Sequence, residues 1–196
     1  MAIPYLKAED LVLRLGKGSP VLFPTDTLPA LGVLPKYSSK LWNIKRRPLI
    51  KPLILMGASL EDLFEFVSHI AIKDAERMAL TYWPGALTMV LPASGKLVEE
   101  LNPTSKTIGI RIPSCDHAIS LLCKSGPLAT TSANISGEDP CLNEEEVLNV
   151  FPDLPLLGPG PWPKFSGIAS TVIAWQQTGS WQLLRKGAVM PENIKK

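Results

Sequence analysis

Two spacings of apolar residues alternate along this chain: short dense runs, and stretches in which apolar positions recur every third or fourth residue. Leu6, Leu11, Val12 and Leu15 follow the second pattern and stop at Gly16 and Gly18, which predicts a helix ended by glycine. Pro20-Val21-Leu22-Phe23-Pro24 follows the first, a buried strand leading into the polar turn Thr25-Asp26-Thr27. Ser38 or Ser39 can cap a helix through Leu41 and Ile44 that ends at Pro48, because the residue before proline is biased away from helical backbone. A strand at 53–56 follows, then Ser59-Leu60-Glu61-Asp62, which resembles a capping box opening a helix, and a second helix at 72–82. Residues 87–91, 108–112 and 128–131 read as strands, with Asp116 capping a short helix through Leu121 and Leu122. Asn143 precedes Glu144, Glu145 and Glu146, carboxylates that suit the positive end of a helix. Strands at 170–175 and 181–185 flank a turn containing Gly179, and the proline-rich stretch 155–163 reads as a loop. Alternating strands and helices with a hairpin at the end predict an α/β fold: one open, twisted, mixed sheet with flanking helices.

Composition narrows this further. At 196 residues and 45% hydrophobic, the chain suits a single domain over 1–196 with a full-sized core. Twenty Lys and Arg against eighteen Asp and Glu give a net charge of only +2, too little for a protein whose task is to neutralise nucleic acid at large. RNA, if bound, would be held at a local patch. No apolar run reaches the roughly 18 residues a membrane span requires, and Met1-Ala2-Ile3-Pro4-Tyr5-Leu6 has no signal-peptide core, so a cytoplasmic location is expected. Three cysteines, Cys115, Cys123 and Cys141, lack disulfide-framework or zinc spacing and are expected reduced; two histidines, His69 and His117, cannot build a multi-histidine metal site.

Two segments carry the candidate chemistry. Lys45-Arg46-Arg47-Pro48 with Lys51-Pro52-Leu53 puts four cations within seven residues, and the prolines stiffen the backbone that carries them. Arginine offers a planar fork and lysine a compact charge, a combination suited to a triphosphate. Ser132-Ala133-Asn134-Ile135-Ser136-Gly137 follows a strand, and open α/β sheets bind ligands beyond strand carboxyl ends. Together they describe a basic concave groove facing a polar loop. Arg111 sits among apolar residues and needs an anion, from the protein or from a ligand, yet no acid lies between it and Asp116. Trp83-Pro84-Gly85 reads as a packed turn. The phosphate loop G-x-x-x-x-G-K-[ST], the dinucleotide fingerprint G-x-G-x-x-G and the nucleophile elbow G-x-S-x-G are all missing, so catalysis must rest on positioning and charge, with no covalent nucleophile.

These segments, in order, resemble the YrdC-like family. The resemblance rests on Pro24-Thr25-Asp26-Thr27, the Lys45–Leu53 cluster, Trp83-Pro84-Gly85-Ala86-Leu87-Thr88, Ile110-Arg111-Ile112-Pro113, Thr131 through Gly137, Ser170-Thr171-Val172 and Leu184-Arg185-Lys186-Gly187, across residues 5–190. It implies a short, single-domain bacterial form of threonylcarbamoyl-AMP synthase, making threonylcarbamoyl-AMP and pyrophosphate from L-threonine, bicarbonate or CO2 and ATP with Mg²⁺. The product would pass to downstream proteins that modify adenosine in tRNA. Carried over by position, Thr27, Arg111 and Thr130 would bind threonine. Lys45, Arg47, Lys51, Thr107, Ser132, Asn134, Ser170 and Arg185 would bind ATP, with Lys45, Arg47 and Lys51 stabilising charge; no protein metal ligand is implied. Pro29-Ala30, Met56 and Ala169 depart from the family pattern, which has an aromatic-glycine pair, often a histidine, and a glutamate there. The rival reading is a non-catalytic protein that binds double-stranded RNA or tRNA in the same groove. The small polar residues Thr27, Thr130 and Ser132 favour an enzyme, because phosphate-backbone binding needs no amino-acid pocket.

Overall fold

A computed structural model describes residues 5–177, 179–192 and 194. In chain order its strands are β1 (Tyr5–Leu6), β2 (Val21–Phe23), β3 (Ala30–Val33), β4 (Ile54–Met56), β5 (Leu87–Pro92), β6 (Thr107–Arg111), β7 (Leu128–Ser132), β8 (Leu156–Leu157), β9 (Thr171–Trp175) and β10 (Trp181–Arg185). Its helices are α1 (Ala8–Gly16), α2 (Ser39–Lys45), α3 (Leu60–Phe64), α4 (His69–Tyr82), α5 (Lys96–Leu101), α6 (Asp116–Ser125) and α7 (Glu144–Val150). All ten strands join one mixed sheet in the order β1-β8-β2-β3-β7-β4-β6-β5-β9-β10. The pairs β1/β8, β2/β8, β4/β6 and β5/β9 are parallel and the other five antiparallel. The mixed sheet with flanking helices expected from the sequence is the fold observed.

Because side chains alternate across a strand, the register sorts the sheet into two faces. One carries Leu22, Leu31, Leu55, Met89, Ile110, Ala129 and Ile173, all buried, under Leu41 and Trp42 of α2, Leu63 of α3, Val98 and Leu101 of α5 and Val147 of α7. Ala71, Ala75 and Ala79 repeat every fourth residue along α4, a small-residue stripe that lets this helix lie close to the same core. The other face is covered over only part of its width. Val21, Phe23, Ala30, Met56 and Leu128 pack against Leu11 and Leu15 of α1 and Ala118, Leu121 and Leu122 of α6. Beyond that block, Ile54, Thr130, Gly109, Arg111, Thr88, Val172 and Arg185 continue the face by register, and no buried cluster joins them there. The step between covered and open halves positions the site.

Several boundaries differ from the sequence expectations. The first helix starts at Ala8, because Tyr5 and Leu6 are taken into the sheet beside Leu156 and Leu157, which form a strand within the stretch 155–163 expected to be loop. Strand β3 and helix α5 were not expected; both are short, and β3 is apolar on both faces and so lacks a period. Ser38 continues a single 3-10 turn over Pro35–Tyr37 with helical dihedrals and makes no capping bond. Asp116 is the first residue of α6 rather than its cap, a position held by Cys115. Where capping chemistry was clear it holds: Ser59 Oγ accepts from the Asp62 amide at 3.2 Å, and Asn143 Oδ1 from that of Glu146 at 2.9 Å. The three cysteines are free, and no helix is long and apolar enough to cross a membrane among the described residues.

Candidate active site

A cavity of about 140 Å³ opens at the step in the sheet. Its floor is Ile54, Met56, Thr130 and Ser132 from β4 and β7, with Ala30 from β3; the turn 25–29 forms one wall, and Arg47, Arg111, Ala169, Ser170 and Arg185 complete it. The cavity lies on the sheet face that α1 and α6 cover only in part, and β4, β6 and β7 each bring their C-terminal residue to it, Met56, Arg111 and Ser132.

The turn at 25–28 is organised by one hydroxyl. Thr25 Oγ1 accepts the amides of Thr27 and Leu28 at 3.2 and 3.3 Å, which turns Asp26 and Thr27 toward β6. Arg111 meets them there. Its Nη2 pairs with Asp26 Oδ1 at 2.7 Å, its Nη1 donates to Thr27 Oγ1 at 2.8 Å, and its Nε donates to the Gly85 carbonyl at 2.9 Å. At 4% exposure this guanidinium is buried, and the fork is satisfied largely from within. Of the two sources of an anion that the sequence left open for Arg111, the protein supplies one: Asp26, 85 residues away, is its partner. Three of its five N–H groups are thereby taken, and the residue also lines the cavity. Burial pushes its pKa down, and the Asp26 carboxylate opposes that shift. Trp83-Pro84-Gly85 is a packed turn as expected, with Trp83 Nε1 on the Leu87 carbonyl and Gly85 anchoring Arg111.

The cations arrive from two loops. After α2, Arg46 takes left-handed dihedrals (φ 49°, ψ 42°); its amide bonds the Asn43 carbonyl and the Arg47 amide that of Trp42, a Schellman closure built without glycine. The helix therefore ends at Lys45, ahead of Pro48. Arg47 then folds over its own loop, donating to the carbonyls of Lys51 at 3.0 Å and Pro52 at 2.8 Å. On the far side Arg185 donates through Nε and Nη2 to the Ser170 carbonyl at 3.1 and 2.9 Å, and Ser170 Oγ lies 2.9 Å from Thr88 Oγ1. This closeness needs Gly187, since a Cβ there would sit 2.3 Å from the Ala169 carbonyl oxygen. Burial lowers the pKa of both arginines, and the charge of Arg185 adds to the effect on Arg47. Among the described residues the ion pairs are Arg77–Asp74, Arg111–Asp26 and Lys124–Glu9, so neither Arg47 nor Arg185 has a carboxylate partner.

Other expected site residues sit elsewhere. Lys45 is buried at 1% exposure behind the cavity, its Nζ on Asn134 Oδ1 at 3.2 Å, on Ser132 Oγ at 3.3 Å and on the Ser132 carbonyl. The sequence placed it among the ATP contacts; here the 132–134 loop closes over the end of α2 and takes up its donors. Asn134 lies in that network and not on the cavity wall. Lys51 is exposed just outside the cavity, and Thr107 shares the open face with Gly109 and Arg111 but lies at the other end of β6, its Oγ1 accepting from Asn102 Nδ2 at 3.1 Å. Thr130 lines the cavity while donating to the Ile54 carbonyl at 3.0 Å. Sequence reasoning missed Thr25, Asp26 and the Gly85 carbonyl as organisers of the site; the signal for two of them was the Thr25-Asp26-Thr27 turn itself.

Residues 14–187 match a family model described as "Telomere recombination", the Sua5, YciO and YrdC family. The chain belongs to that family. A threonylcarbamoyl-AMP synthase of Bos taurus is 32% identical over 191 residues, covering 91% of this chain and 67% of the relative. One of Stenotrophomonas maltophilia is 34% identical over 148 residues, covering 72% and 79%. Among solved structures, Sua5 of P. abyssi complexed with L-threonine superposes with a TM-score of 0.84 at 30% identity, over 95% of this chain but 58% of that one. YciO of E. coli gives a TM-score of 0.81 at 23% identity over nearly the full length of both chains, a likeness of fold. Three departures from the YrdC-like pattern (Pro29-Ala30, Met56 and Ala169) all fall on the cavity wall.

Proposed function

We propose that this chain is a threonylcarbamoyl-AMP synthase acting on L-threonine, bicarbonate or CO2, and ATP. The observation that carries this reading is one cavity of amino-acid size bordered by Arg47 and Arg185, two arginines with no carboxylate partner among the described residues. Cations held against each other by backbone carbonyls suit an anion with several charged oxygens.

In this account threonine lies on the cavity floor, its carboxylate toward Arg111 and its methyl against Ile54 and Met56. Its amine adds to CO2 and loses a proton, giving an N-carboxylate. One carboxylate oxygen then attacks the α-phosphorus of ATP, and the bond from that phosphorus to the bridging oxygen of pyrophosphate breaks. The products are threonylcarbamoyl-AMP and pyrophosphate. Two anions approach one another in this step, so Arg47 and Arg185 contribute by neutralising phosphate charge, and the Ser132 and Ser170 hydroxyls by orienting it. Mg²⁺ enters with ATP on the phosphate oxygens; among the described residues no three His, Cys, Asp or Glu gather to hold an ion. The product would serve proteins that transfer threonylcarbamoyl to adenosine in tRNA. Binding of an RNA backbone alone would leave the small enclosed floor without a use.

The test is pyrophosphate release from ATP by the purified chain with Mg²⁺, omitting each substrate in turn. Release that requires both threonine and bicarbonate supports the reading, and release indifferent to either contradicts it.

A further inference from the structure

Lys45 ends α2 with its carbonyl accepting the Ser136 amide at 3.1 Å, so the helix end and the 132–136 loop are already joined through backbone. Its ammonium has three N–H donors, and three acceptors of that loop receive them: the Ser132 carbonyl, Ser132 Oγ and Asn134 Oδ1. The acceptors are themselves linked. Ser132 Oγ donates to Asn134 Oδ1 at 2.6 Å, and Asn134 Nδ2 donates to the Ile135 and Glu138 carbonyls at 3.0 and 2.7 Å. Of this network only Ser132 reaches the cavity wall. No donor of Lys45 is left for a phosphate, and its 1% exposure leaves no approach for one.

We propose that Lys45 is a positioning residue: its ammonium locks the orientation of the Ser132 hydroxyl at the cavity and acts on the nucleotide through that hydroxyl alone. The inference rests on the nucleotide-binding reading above and departs from the direct phosphate contact expected for the lysine of this motif. The charge is buried with no carboxylate partner among the described residues, and burial, together with the neighbouring charges of Arg47 and Lys51, brings its pKa down to about 7, against an opposing effect of Cys141. Once neutral, the amine has two donors and a lone pair, so the Ser132 proton can turn toward nitrogen and the lock is lost. An anion held by the oriented Ser132 hydroxyl favours the form of Lys45 that maintains that orientation, so nucleotide binding above neutrality takes up a proton.

ATP titration calorimetry at pH 7 and 8.5, in buffers of different ionisation enthalpy, tests this on the wild type, S132A, K45M and the double variant. Wild-type affinity should fall roughly tenfold across that range with net proton uptake at pH 8.5. K45M and S132A should each weaken ATP binding roughly tenfold, and the double variant no more than the weaker single one. Losses that multiply in the double variant would give Lys45 a contact of its own and overturn the proposal. So would a K45M protein that melts earlier yet binds ATP like the parent. Should K45M fail to fold, S132A decides alone: the pH dependence disappears if Lys45 acts through Ser132 and persists if it touches the phosphates. A wild type that binds no ATP at either pH overturns the nucleotide reading itself, before any variant is made.

Discussion

Arg111 is held by its own protein on three sides, by Asp26, Thr27 and the Gly85 carbonyl, and the same residue lines the cavity. Its structural and ligand roles are therefore joined. A lysine ammonium cannot reproduce the planar fork, so Arg111→Lys should leave Asp26 or Gly85 short of a donor at a cost of about 1–3 kcal/mol, lowering Tm by several degrees. Threonine use should fall in the same variant, and thermal melting alongside threonine-dependent turnover checks both; full stability with unchanged turnover would remove Arg111 from either role. Arg47 and Arg185 differ, since backbone carbonyls hold them and no carboxylate among the described residues pairs with them. Alanine at either should weaken ATP binding roughly 10- to 100-fold by calorimetry, the loss of a charge-assisted contact, with the melting temperature little changed. Ile54 and Met56 give the floor an apolar surface, from which threonine should be used roughly tenfold better than serine in kcat/KM, the value of one buried methyl. At this scale the sequence showed that Arg111 needed an anion but not which one, because its partner lies on a turn 85 residues earlier. It placed Lys45 among the ATP contacts from the cation cluster and the resemblance, and the loop that buries this side chain arrives from 87 residues further along.

The element that aims Arg47 is the end of α2. Its Schellman closure places Arg46 at φ 49°, a conformation that glycine adopts freely and an arginine does not. Arg46→Gly should therefore raise stability by about 0.5–1 kcal/mol in chemical denaturation and leave ATP affinity unchanged; a destabilised variant would mean that the Arg46 side chain holds the loop. Elements with periodic apolar patterns or capping signals, such as α4, α7 and the β9–β10 hairpin, were legible in sequence. Strands β1, β3 and β8 were not. Two or four residues long, they carry no alternation, and their strand character comes from neighbours that complete their hydrogen bonds, β8 holding β1 and β3 lying between β2 and β7.

Across the whole molecule, the fold makes a site by incomplete cover. One sheet face lies under α2, α3, α4, α5 and α7, and on the other α1 and α6 stop partway, leaving Arg111, Thr130 and Ser132 at the boundary. The alternation of strands and helices announced the layered architecture, but nothing in local pattern says that two helices will cover only part of a face; that depends on strand order and on which pairs run parallel. The central claim is a covalent outcome and is best tested as one. The purified chain, incubated with MgATP, L-threonine and ¹³C-bicarbonate, should yield threonylcarbamoyl-AMP carrying the label in its carbamoyl carbon, read by mass spectrometry of the quenched mixture. Formation of AMP or ADP with no labelled adduct, while the protein remains folded and binds ATP, would contradict the account.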